Sequence, residues 1–496
     1  MDTYDVIVIG AGFGGLATAL TLAEEGARVL LVETLGYPGG CASTYERRGY
    51  RFESGATLFS GFGEGQLMER WTRRHGLTVE HRVLDPVVEL RAPGWSLSVP
   101  PRREELVARL CALPGAPEAG IEAFFDLQRR VADALWGLFS EPRLLPPFGL
   151  RELWEHARRL PSYLPLAGLV GRPVGQVLKR YGLESFEPLV TYLDATCQIT
   201  VQAGVAEAEA PFALAAMDYY FRGTGHVHGG VGRLAESLVQ AIRGCGGEVA
   251  FFERAEGLTP SAGGWRLRTR RRTVAAGAVV ANLLPQALEQ LLPDLLGGLT
   301  PWRLRQLAQR VEDGWGAAML YLALPPDSLE RSSAHHLELV QDPTRPLLEG
   351  NHLFCSVSAA DETGRTPDDG RTVTVSTHVP MQALQAGGRE HRAVYVEQVQ
   401  ERMRQGLRTL APELAAAVEH QLTASPRTFE RFTGRPEGYV GGIPRRAGLS
   451  NYRNLAPRPI LPGLFLVGDS VFPGQSTLAT ALGGVKVAQR VLAREL

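Results

Sequence analysis

The sequence predicts an α/β fold in which a Rossmann-type dinucleotide-binding domain is interleaved with a second, α+β domain. Three observations carry that expectation. A βαβ unit with a glycine fingerprint opens the chain, glycine-rich α/β text returns near residue 226 and again at the C-terminus, and the intervening text is helical or mixed. At 496 residues the chain is too long for one simple core, so two domains are expected. The first is assigned to residues 1–80, 226–300 and 426–496, the second to 81–225 and 301–425.

The opening unit is "VIVIGAGFGGLATALTLAEEGARVLLVE", residues 6–33. A β-branched strand from Val6 to Ile9 breaks at Gly10. From Gly14 a helix carries Leu16, Leu20 and Ala23 on one face, and a second strand from Arg28 ends at Glu33. G-x-G-x-x-G falls at Gly10, Gly12 and Gly15. The first glycine permits the tight turn, the second lets backbone approach a pyrophosphate, and the third lets helix and strand pack closely. Glu33 stands where an acid can bind the adenosine ribose hydroxyls. On this unit alone, FAD and NAD fit equally.

Residues 36–63 are dense in glycine and small side chains, which lets backbone approach a ligand. From about Pro101 to Tyr220 the text reads as helix. Residues 226–252 then read as a helix from Val231 into a strand through Val249, and 273–285 as a further buried strand. Strands at Ala318–Ala323 and Thr372–Ser376, with helices around 382–420, complete the mixed region. No internal repeat or low-complexity segment interrupts it.

Composition narrows the function classes. Hydrophobic residues make up 44% and charged residues 21%, and the net charge of −1 supplies no electrostatic reason to bind nucleic acid. The five cysteines are scattered without C-x-x-C or metal-ligand spacing, so neither a disulfide framework nor a metal site is expected, and a reducing cytoplasm is. Residues 6–23 are apolar, yet Asp2 and Asp5 precede them with no basic segment, so they read as core rather than signal peptide or membrane span.

"PGLFLVGDSVFPGQSTLATALGGVKVAQRVL", residues 462–492, decides between the two dinucleotides. A short strand runs into Gly468 and Asp469, and after a loop a long helix starts near Ser476 to Leu478, with Thr477 between them. Amides at a helix start favour negative charge, which reduced flavin develops at its N1 and C2 carbonyl edge. Asp469 is placed to accept hydrogen bonds from ribityl hydroxyls or to help hold the pyrophosphate. A nicotinamide enzyme needs no such second cradle.

At these residues the chain resembles the carotenoid desaturase and carotenoid isomerase group of flavin oxidoreductases. The motifs are "VIGAGFGGL", "PGGCAST" followed by "GYRFESGATLFSG", "GRPEGYVGG" and "GLFLVGDSVFPGQ". The resemblance implies a Rossmann-type FAD-binding domain of the glutathione reductase and amine oxidase kind, with an interleaved α+β substrate domain. It implies that Gly10, Gly12, Gly14, Gly15 and Glu33 hold the ADP half of FAD, and that Gly39, Gly40, Cys41 and Ser43 approach the phosphates. Gly55 and Ala56 would pass the isoalloxazine, Val249 would meet adenine through its backbone, and Gly468, Asp469, Thr477 and Leu478 would hold the ribityl side. One departure stands out: many amine-oxidase-type relatives carry arginine where this chain has Cys41.

The activity implied is desaturation of an acyclic carotenoid or related long isoprenoid polyene, with hydride transfer to flavin N5. Loss of a proton from the neighbouring carbon completes the double bond, and charge delocalisation lowers the demand for a strong base. His226 and His228 are the nearest acid–base candidates, though both also read as loop residues bonding backbone. His335 and His336 do not read as a metal pair, because neighbours on a strand point to opposite faces. A cis–trans isomerase using reduced FAD and a polyene or retinol saturase are the alternatives, since all three share one cofactor site. A flavin amine oxidase is disfavoured, because Lys179 and Lys486 are the only lysines and neither stands near an expected flavin edge.

Residues 144–174 bear on substrate delivery. Leu150, Leu153, Trp154, Ala157 and Leu160 follow helical spacing with charged residues opposite. That stripe suits either the core or a bilayer surface, and the resemblance favours a peripheral contact at the inner face of the cell membrane. The oligomeric state is left open.

Overall fold

The computed structural model describes residues 2–139, 141–146, 148–292, 300–329 and 334–493. The opening strand runs Thr3–Ile9, the first helix Phe13–Glu24 and the second strand Val29–Val32. These strands carry an unbroken apolar run because both of their faces are covered, as parallel strands require. Val6, Val8, Val29 and Leu31 pack against the helices Phe13–Glu24, Gly232–Gly244 and Thr477–Leu492. On the opposite face Ile7, Ile9, Leu30 and Val32 join Leu258, Leu267, Leu304 and Leu307 in a separate core.

The sheet is assembled from three distant stretches of chain. Its order is Ala255–Ser261, Gly264–Thr269, Thr273–Ala281, Thr3–Ile9, Val29–Val32 and Glu248–Ala250, with Leu464–Leu466 also paired to Thr273–Ala281. The pairs among Thr273–Ala281, Thr3–Ile9, Val29–Val32, Glu248–Ala250 and Leu464–Leu466 are parallel. Ala281 lies between Ile9 and Leu466, so the fingerprint turn and the C-terminal "VGD" turn leave the sheet side by side.

A second seven-stranded sheet has the order His420–Ala424, Trp315–Leu324, Arg371–Pro380, His352–Val357, His336–Val340, Val88–Ala92 and Trp95–Val99. Every residue of Trp315–Leu324 is buried. Side chains alternate across it: Ala318, Leu320 and Leu322 pack with Val399, Met403 and Leu407 of the helix Arg389–Leu410. Ala317, Met319 and Tyr321 face the other way, toward Phe52 and Phe429. Helices between Arg103 and Met217 form a further core with Leu90, Leu97 and Val99.

The helix Leu150–Tyr163 stands apart, for none of its residues is buried. Leu150 is 89% exposed, Trp154 61% and Leu160 61%. The apolar stripe therefore faces outward rather than into the core. Among the described residues no helix is long and apolar enough to cross a membrane.

Candidate active site

A cavity of about 400 Å³ lies between the two sheets and is walled by both. Gly10, Gly12 and Gly14 line it. Gly10 has φ of +95° and an added Cβ would lie 2.8 Å from the Asn282 carbonyl oxygen, while a Cβ on Gly12 would lie 2.6 Å from Asn282 Nδ2. Gly15 does not reach the cavity and instead lets the helix sit on the strand. Asn282, which follows the strand Thr273–Ala281 and lines the cavity, was not expected among the site residues.

Glu33 also lines the cavity. Its two carboxylate oxygens accept the amides of Ala11 at 2.7 Å and Leu35 at 2.8 Å, and burial raises its pKa against those two bonds. The carboxylate is thus fixed in place before any ligand arrives. Beside it the wall is made by Glu253, Arg254 and Ala255. Val249, expected to meet adenine, does not line the cavity, and its carbonyl accepts from Arg243 at 3.2 Å. Ala255, one strand further on, lines the cavity instead.

Gly39, Gly40, Cys41, Gly55 and Ala56 line the middle, with the Ala56 amide donating to the Cys41 carbonyl at 3.0 Å. Ser43 is buried behind this loop, where its hydroxyl bonds the Gly40 carbonyl at 2.8 Å. Burial pushes the Cys41 thiol up, so it is an inert packed residue. The arginine missing at position 41 has a neighbour in kind. Arg435 is half-buried, its charge acts on Cys41, and it donates to Asp469 at 2.7 Å. Arg435, which lies within "GRPEGYVGG", lines the cavity.

Gly468, Asp469 and Thr477 close the cavity on the C-terminal side. The Ser476 hydroxyl caps the last helix by accepting from the Ala479 amide at 3.1 Å. The amides of Thr477 and Leu478 have no acceptor among the described residues, which leaves an electropositive helix start. The Leu478 side chain itself points to an adjoining chamber. Glycines that a Cβ would close, a fixed acid and free helix amides along one cavity fit a dinucleotide such as FAD.

The far wall belongs to the second sheet. Ala317 and Met319 come from one strand, Ser376 and His378 from its neighbour, and Phe354 from the next. His378 is the only ionisable group on this roof. Its imidazole makes no hydrogen bond among the described residues, and burial lowers its pKa to about 4, so it is neutral at pH 7.

The histidines expected from sequence lie elsewhere. His226 is buried on the strand Gly225–Val227 and bonds Glu362, which also bonds Arg365, while the His335 ring lies 3.9 Å from it. His228 is half-exposed, with Nδ1 3.9 Å from Glu80. Neither reaches the cavity, because the strand turns them toward Glu362 and toward solvent. His335 precedes the strand His336–Val340, so alternation does not separate the pair, and their rings lie 4.3 Å apart. Lys179 and Lys486 also lie outside the cavity.

Comparison with known proteins agrees with this geometry. Residues 8–74 match the NAD(P)-binding Rossmann-like domain family. The chloroplastic prolycopene isomerase of Arabidopsis thaliana is 27% identical, over 99% of this chain and 83% of its own. The hydroxyneurosporene desaturase of Cereibacter sphaeroides is 27% identical over 98% of this chain and 97% of its own. Over nearly its whole length the chain is thus similar to carotenoid desaturases and a carotenoid isomerase. Among solved structures, cyclohexylamine oxidase from Brevibacterium oxydans superposes with a TM-score of 0.63 at 16% identity, covering 99% of this chain and 98% of its own, and shares the fold. The chain is an FAD-dependent oxidoreductase of carotenoid metabolism.

Proposed function

We propose that the chain desaturates an acyclic carotenoid or a related long isoprenoid polyene. The observation that carries the reading is a single cavity joining the dinucleotide cradle to an apolar roof with one neutral imidazole. Gly10, Gly12, Gly14, Glu33, Gly39, Gly40, Ala255, Asp469 and the amides of Thr477 and Leu478 would hold FAD along that cavity, with Arg435 beside the phosphate loop. When bound, FAD supplies an acceptor for a hydride from an allylic C–H bond.

The protein's own part is to exclude water and take a proton. Ala317, Met319, Phe354 and Phe429 form a dry wall against which a hydrocarbon can lie. With Nδ1 of His378 walled off from any partner, Nε2 is the ring nitrogen left to accept the proton lost beside the cationic carbon. So weak a base suffices, because a polyenyl cation is a strong acid. The exposed stripe of Leu150–Tyr163 is the surface we assign to peripheral contact with the inner face of the cell membrane, where such a substrate dissolves.

A second reading, cis–trans isomerisation by the reduced flavoenzyme, is favoured by the similarity to prolycopene isomerase across 99% of the chain. One experiment separates them. The purified holoenzyme is mixed without oxygen with a detergent-dispersed acyclic carotenoid, while the visible spectrum and extracted pigment are followed. Flavin bleaching with a more conjugated product is the expected outcome, and His378→Gln should slow that conversion about hundredfold. Pigment change only with pre-reduced enzyme, and with no gain in conjugation, would establish the isomerase instead.

A further inference from the structure

Beside the main cavity lies a chamber of about 100 Å³, and Thr200, Tyr219, Gln475 and Ser476 form walls of both. Its remaining surface is largely apolar, with Trp136, Phe139, Phe212, Ile443 and Leu482 among the lining. Into this surface is set one full charge. Arg445 is only 8% exposed, and it follows the glycine pair that closes "GRPEGYVGG".

The guanidinium is short of partners. One Nη donates to the Pro473 carbonyl at 3.2 Å, and the Phe212 ring lies 5.5 Å away. Its Nε has no acceptor. Among the described residues no carboxylate pairs with it, and the charge acting on it is the like charge of Arg310. Burial, then Arg310, lower its pKa to about 10, which leaves it cationic at pH 7. A buried charge without an opposite one is costly to maintain, and the donor fork of arginine matches a carboxylate.

We propose that this chamber binds the carboxylate end of a long apolar chain, so that the enzyme accepts an isoprenoid polyene acid with its charged terminus on Arg445 and its hydrocarbon passing into the main cavity. The inference rests on the polyene reading above and adds a substrate class to it. The pocket is too small for a whole polyene and too apolar, apart from Arg445, for a sugar or nucleotide. A hydrocarbon terminus would fill the walls and leave the guanidinium unpaired.

The test is equilibrium binding to the oxidised holoenzyme, read from the perturbation of flavin absorbance without oxygen. Three probes of equal length are used: an acyclic polyene hydrocarbon, the same chain ending in a carboxylic acid, and the methyl ester of that acid. Wild-type protein is expected to bind the acid about tenfold or more tightly than either neutral probe. Arg445→Gln should erase that preference and leave the affinity for the hydrocarbon unchanged. Equal affinity for acid and hydrocarbon in the wild type overturns the inference even where the variant does not fold, and so does a preference that survives in Arg445→Gln. If none of the probes binds, the polyene reading itself falls and takes this inference with it.

Discussion

A methyl group on Gly15 would lie 2.0 Å from the Gly10 carbonyl oxygen, a backbone atom that cannot step aside without moving the first strand. Gly15→Ala is therefore expected to give a protein that retains little flavin and is destabilised by about 1–3 kcal/mol, read from bound-flavin absorbance and urea unfolding. Glu338 offers a different kind of prediction. It is fully buried, one oxygen accepts from Tyr220 at 3.0 Å, the other has no partner, and burial pushes its pKa up to about 7. The unfolded chain releases that proton near 4.5, so the native state binds more protons between the two values and stability falls as pH rises from 4.5 to 7. Glu338→Gln should flatten this slope, recovering up to about 3 kcal/mol at pH 8 relative to pH 5. An unchanged slope in urea unfolding at the two pH values would show that the carboxyl pays no such penalty. The glycine fingerprint and Glu33 were legible because their work is local, within one βαβ unit. Asn282, Ala255, Arg435 and His378 were not, because sheet order brings them to the cavity from more than 200 residues away. His226 and His228 attracted notice by proximity to a motif in sequence, which does not fix where a strand points a ring.

Periodicity makes a helix of Leu150–Tyr163 in both sequence and structure, but it does not say which side the stripe faces. The answer came from packing: the helix is held by few neighbours, the Glu152 carboxylate accepts the Gly149 amide at 2.9 Å, and Arg158 lies 4.8 Å over the exposed Trp154 ring. A guanidinium over an exposed indole suits an interface where one side is apolar and the other wet. Leu150→Glu with Trp154→Glu is expected to weaken binding to vesicles of mixed zwitterionic and anionic lipid at least about tenfold. Thermal stability should hardly change, since neither side chain is buried. Unaltered co-sedimentation with vesicles would remove this helix from the membrane surface. Elsewhere, alternation in Val88–Ala92 and Trp95–Val99 around Pro93–Gly94 is a hairpin signal that the sequence reading left unassigned. Those strands add an edge to the second sheet by pairing with His336–Val340, a partner no local pattern names.

On the scale of the whole molecule, the layout of one sheet between distant segments was readable from the return of glycine-rich α/β text, while the second sheet's order was not. Three of its strands, Trp315–Leu324, His336–Val340 and His352–Val357, are buried along their whole length, which removes the exposure alternation that reports orientation. The strand Thr273–Ala281 sits between Thr3–Ile9 and Leu464–Leu466, and that arrangement has a meaning in time. A ribosome adding about 5–20 residues per second delivers Asp469 roughly 20–90 s after Gly10. Through that interval the nascent first strand has no partner at one edge, then a partner without the turn that completes the cradle. A chain ended at residue 461 should accumulate without flavin and aggregate, as measured by flavin content and sedimentation of the expressed protein. Loading of the cofactor thus belongs after synthesis, and the supply of free flavin at the moment of release governs how much of the newborn protein matures.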